Sequence, residues 1–187
     1  MQIKTAAAMA LILLSCNQAA KETAETTEAA KPKEAATTID MHGYTANYSA
    51  SFEMGDSKQS EAILALYRDW DDGKPDAHKE AFADTVELSF GDGNDLIIPR
   101  DSAMGIVSAW RQTYSAVKSS VHSVLPVKAT GMDESWVCIW AKEVHTEKAT
   151  NKTDSVELQE NYRFDKNGKI NWMLQYQKPA APPKAKK

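Results

Sequence analysis

Apolar side chains at Ile63, Leu66, Tyr67 and Trp70 form an i, i+3, i+4, i+7 stripe. That stripe predicts an amphipathic helix over residues 57–72, stopped by Gly73. A second, shorter helix is predicted over 75–83, with Ala77, Ala81 and Phe82 as its apolar side. Val86-Glu87-Leu88-Ser89-Phe90 alternates like a strand and runs into a Gly91-Asp92-Gly93-Asn94 turn. A brief strand at 95–98 follows, and Asp101 is placed to cap a third helix with the stripe Ile106, Val107, Trp110, Tyr114. From Val121 the period changes to two, predicting strands at 121–129, 135–146, 155–164 and 169–177. Asp165-Lys166-Asn167-Gly168 supplies the tight turn between the last two. Helices first and a long antiparallel run afterwards predict an α+β domain.

Before this body, Tyr44, Ala46, Tyr48, Ala50, Phe52 and Met54 alternate with polar residues, the period of an extended arm or an edge strand. Residues 17–38 are almost wholly Ala, Thr, Glu and Lys, without aromatic or large aliphatic side chains. Such a segment cannot bury enough apolar area to offset its ordering entropy, so it reads as a flexible tether. At the start, Lys4, the apolar run 6–14 and Leu13-Leu14-Ser15-Cys16 resemble a bacterial lipoprotein signal. In that reading residues 1–15 are removed and Cys16 is acylated, anchoring the chain to a cell-envelope membrane. The alternative is an ordinary secretory signal with an incidental cysteine. The expected organisation is thus signal 1–15, lipidated Cys16 and tether 16–38, arm 39–56, domain 57–178 and basic tail 179–187.

The two-residue period also sorts side chains by face. Leu158, Glu160, Tyr162 and Phe164 share one face, against polar Gln159, Asn161 and Arg163. Trp136, Cys138, Trp140 and Lys142 share a face, as do Trp172, Leu174 and Tyr176, and these are expected to point toward the core. Gln175 and Gln177 then fall on a wet face. Glu160 becomes a carboxylate among apolar and aromatic neighbours, where desolvation raises a pKa and suits acid or base work. Its plainer role is to pair with Lys142, to accept from Tyr162, or to lie near the sheet edge.

Phe82-Ala83-Asp84-Thr85-Val86 and the order of elements resemble the SnoaL-like branch of the nuclear transport factor 2-like superfamily across residues 57–178. The resemblance implies a curled antiparallel sheet wrapped around the N-terminal helices, a cone with a pocket at its open end. It covers isomerases, cyclases, dehydratases and binding domains without catalysis, so fold alone does not choose among them. In the ketosteroid isomerase-like relatives a general-base aspartate is expected near Leu88-Ser89, and a tyrosine near Leu66, one place from Tyr67. The aspartate has no counterpart here.

Charge and rare residues narrow the classes. The chain carries a formal net charge of −4, yet residues 178–187 hold Lys178, Lys184, Lys186 and Lys187 with no acid. The acidic excess therefore lies in the body, which argues against nucleic acid as a partner. His42, His78, His122 and His145 show no ligand-pair spacing, so neither a metal nor a cofactor is expected. Cys138, in an apolar run, reads as an inert thiol. The expectation is a membrane-anchored binding domain for a small apolar or amphipathic ligand, or for a partner protein. Trp110, Trp140, Glu160, Tyr162, Trp172 and Tyr176 are its candidate ligand-binding residues. Competing readings are an isomerase or hydratase using Glu160 with Tyr162, and a homodimeric scaffold with a filled cone.

Overall fold

The computed structural model describes residues 39–91 and 93–179. The signal, Cys16, the tether and the tail beyond 179 lie outside the described residues. Helix α1 spans Ser57–Asp72, with the Asp56 carboxylate accepting from the Lys58 N–H at its start. Gly73 ends it in the left-handed region at φ 74°, where a side chain would be strained. Residues 75–83 do not form the expected helix. A short 3-10 turn, Lys79–Ala81, passes directly into β2, Phe82–Ser89. Strand β3 is Asp95–Pro99 and helix α2 is Arg100–Arg111. Pro99 occupies the cap position of α2 without a side-chain bond, and Asp101 instead pairs with Lys79 at 3.1 Å. Helix α2 stops before Tyr114, which begins the long strand β4, Tyr114–Ala129.

Strands β5 (Ser135–Glu147), β6 (Thr153–Phe164) and β7 (Ile170–Pro179) follow, and the arm contributes β1, Phe52–Met54. The seven strands form one curled, open sheet in the order β1-β4-β5-β6-β7-β2-β3. It is mixed rather than wholly antiparallel, because β2 and β7 run parallel, with Leu88 beside Met173. Irregular register near Ala116 and near Ser123 bends β4, as bulges do. Between β6 and β7 the Asp165 carboxylate accepts from the N–H groups of Asn167 and Lys169, fixing the turn, and Gly168 takes φ 71°.

The concave face of the sheet holds the core. Val137, Ile139 and Ala141 of β5 meet Tyr162 and Phe164 of β6, Val86 and Leu88 of β2, Ile63 of α1, and Ala103 and Met104 of α2. Arg111 ties the helices together, donating to the carbonyls of Trp70, Asp71 and Tyr114. Asp69, buried, bonds His78 at 2.6 Å and so holds the loop that follows α1.

Candidate functional site

Inside the cone lies a cavity of about 180 Å³. Its buried end is organised by Glu160. On β6 this residue lies directly between Ile139 of β5 and Gln175 of β7. Tyr67, facing inward from α1, donates its hydroxyl to Glu160 Oε2 at 2.7 Å. Tyr162, two residues along β6 and therefore on the same face, donates to the same oxygen at 2.7 Å. Gln175 Nε2 donates to Oε1 at 2.6 Å. Three neutral donors therefore converge on one carboxylate that is 5% exposed. Burial, and then the charge of Glu160, push both phenols above the ordinary tyrosine range, so they remain O–H donors.

The more open end carries a second polar pair. Glu143 of β5 accepts from Trp70 Nε1 at 2.6 Å, and its other oxygen bonds His145 Nδ1 at 2.9 Å. His145 and Glu143 sit two residues apart on one strand, so both face inward. Tyr114 packs against the imidazole, ring centroids 4.5 Å apart, and Trp110 meets Trp70 edge-on at 5.4 Å. Phe90 closes against Trp110 from the end of β2. A histidine held through Nδ1 by a carboxylate keeps its second ring nitrogen for a proton. Among the described residues no group of His, Cys, Asp and Glu converges as metal ligands.

Of the residues expected at the site, Glu160, Tyr162 and Trp110 line this cavity. Trp140, Trp172 and Tyr176 do not, and the faces assigned to β5 and β7 are corrected accordingly. Ile139, not Trp140, stands opposite Glu160, so Trp140 points to the convex face, where it is 36% exposed. Tyr176 is 53% exposed, and Trp172 donates to Ser89 Oγ and packs on Trp136. Gln175, read as wet, is buried on Glu160. Tyr67, Glu143, His145 and Gln175 are site residues that the sequence reading did not nominate. Cys138 is half-buried, and burial pushes its thiol pKa up.

No family model and no curated protein matches the chain. Solved structures do. A protein named as a SnoaL-like polyketide cyclase from a Jannaschia species superposes with TM-score 0.54 at 14% identity, over 68% of this chain and 95% of that one. A protein named as a scytalone dehydratase from Novosphingobium aromaticivorans gives 0.54 at 12%, over 68% and 92%. A protein with a ketosteroid isomerase-like fold from Catenulispora acidiphila, solved with trimethylamine, gives 0.50 at 18%, over 62% and 84%. At these identities the likeness is one of fold. The domain has the cone fold of SnoaL-like and nuclear transport factor 2-like proteins.

Proposed function

We propose that this chain binds a small amphipathic molecule in the cavity of its cone, and that a lipidated Cys16 holds it at the membrane of a bacterial cell envelope. The observation that carries the binding reading is Glu160. It is a fully hydrogen-bonded, buried carboxylate in a cavity walled mainly by aromatic and aliphatic side chains. Ligand sites pair apolar walls with a few fixed polar groups in this way. An open cavity of about 180 Å³ favours a ligand over a scaffold whose cone is filled by its own side chains. The neighbour solved with trimethylamine supports a ligand of small size. The anchor rests on Leu13-Leu14-Ser15-Cys16 and its apolar run.

Two measurements test this reading. Native mass spectrometry of the protein from its own host should find a co-purifying small molecule. Detergent-phase partitioning should fall to background in Cys16→Ser, and unchanged partitioning would remove the anchor from the proposal. A second reading, an isomerase or hydratase, is favoured by the Glu143–His145 pair at 2.9 Å beside the Glu160–Tyr162 bond. It requires an empty protein that turns over an unsaturated or keto substrate. Glu160→Gln or His145→Gln should then cost about 10²–10⁴-fold in rate.

A further inference from the structure

Among the described residues, the buried carboxylate of Glu160 has no cationic side chain bonded to it. Its three donors are two phenols and a carboxamide, all neutral, which share the charge without cancelling it. Glu143, also buried, meets an indole N–H and one imidazole. His145 is the one residue among those lining the cavity that can carry positive charge; no lysine or arginine lines it. Arg111 lies close to Trp70 but directs its donors to three backbone carbonyls. Buried ions are ordinarily paired with an opposite charge, and here the space where that charge would sit is the cavity itself.

The walls add a second, independent argument. Tyr67, Trp70, Phe90, Trp110, Tyr114 and Tyr162 all border the same space. Aromatic faces attract cations through their quadrupole, and alkylated ammonium ions gain most because their methyl groups also bury apolar area. An anionic ligand would face Glu160 and Glu143 with His145 alone to receive it. We propose that the cavity takes a small organic cation of the alkylammonium class, its charge set toward Glu160 and its alkyl groups against the aromatic walls. This rests on the small-molecule reading above and names the class of that ligand.

The test compares choline with the neutral alcohol in which a quaternary carbon replaces its nitrogen, so that shape is kept and charge is removed. Calorimetric titration would use the full chain carrying Cys16→Ser, so that no lipid enters the experiment. Choline should bind at least about tenfold more tightly than the neutral alcohol. Glu160→Gln should abolish that preference, lowering the affinity for choline more than that for the alcohol. If that variant does not fold, Glu143→Gln should reduce the preference in the same direction, and the wild-type ratio decides on its own. Equal binding of the two probes would overturn the cation and leave a small-molecule site standing. Binding of neither probe would also overturn the cation, while a co-purifying molecule of other chemistry would still uphold the site.

Discussion

The same three strands, β5 to β7, present two aromatic surfaces that behave differently. On the convex face Trp136, Arg163 and Trp172 stand in one cross-strand row, the guanidinium 5.8 and 5.1 Å from the two indole rings. Tyr48 of the arm covers them, its ring 5.2 Å from Trp136 and 5.9 Å from Trp172. These rings pack on each other and on the Arg163 guanidinium. On the concave face the β5 side chains are the smaller Val137, Ile139 and Ala141, and the space they leave contains Glu160 with its donors. Large rings mark area that needs cover. A buried carboxylate with donors arranged around it marks a site.

The largest effect should come from adjacent positions on opposite faces. Ile139→Ala should destabilise by about 2–5 kcal/mol, because it opens a cavity in a closed core. Trp140→Ala, one residue on, should cost about 1 kcal/mol or less. Equal shifts in a denaturant titration would break the assignment of faces. Next come Tyr67→Phe and Tyr162→Phe, each expected to cost about 1.5–3 kcal/mol for a hydrogen bond to a charged group. Both phenols share Glu160 Oε2, so the double variant should depart from additivity; strict additivity would show that the two bonds are independent.

Alkaline titration sharpens the same point. The folded chain keeps the Tyr67 and Tyr162 protons above the ordinary value of 10.0, where unfolded tyrosines release theirs. Their contribution is therefore complete below pH 10.0 and is lost as pH rises above it, by about 1.4 kcal/mol per group per pH unit. The two Phe variants should flatten that decline, and an unchanged slope would remove the buried phenols as its cause. The smallest effect belongs to the convex face. Tyr48→Ala should cost about 0.5–1.5 kcal/mol. It should also red-shift tryptophan emission as Trp136 and Trp172 meet water; emission that stays put would show that the arm is not their cover.

Helix α1 was legible because its stripe and Gly73 agree, and the turn at Asp165 because its side chain bonds its own backbone. The inward face of β6 was legible too, since Gln159, Asn161 and Arg163 alternate cleanly with Leu158, Glu160 and Tyr162. Strand β5 has no such contrast. Trp136, Cys138 and Trp140 are as apolar as Val137, Ile139 and Ala141, so a period of two gives alternation without saying which set points inward. Pairing with β6 decides it, by placing Ile139 opposite Glu160. On β7 the rings of Trp172 and Tyr176 drew the reading to the wrong face, while Met173 and Gln175 complete the cavity. Glu143 and His145 did carry a signal, two proton-bearing side chains at same-face spacing. Testing histidines only against metal-ligand spacing passes over it.

The position of β7 bears on the order in which the molecule can assemble. It lies between β6 and β2, so it alone joins the β1-β4-β5-β6 part of the sheet to the β2-β3 hairpin. Its parallel pairing sets Phe82 beside Ile170, a contact between residues far apart along the chain. Such non-local pairings are slow to form because a long loop must close first. During synthesis, Ile170–Pro179 also leaves the ribosome after the other six described strands. Until it does, β2 lacks its inner partner and Glu160 lacks Gln175. Export of the chain, as proposed above, would draw on that late pairing, because a sheet without β7 is still an open polypeptide.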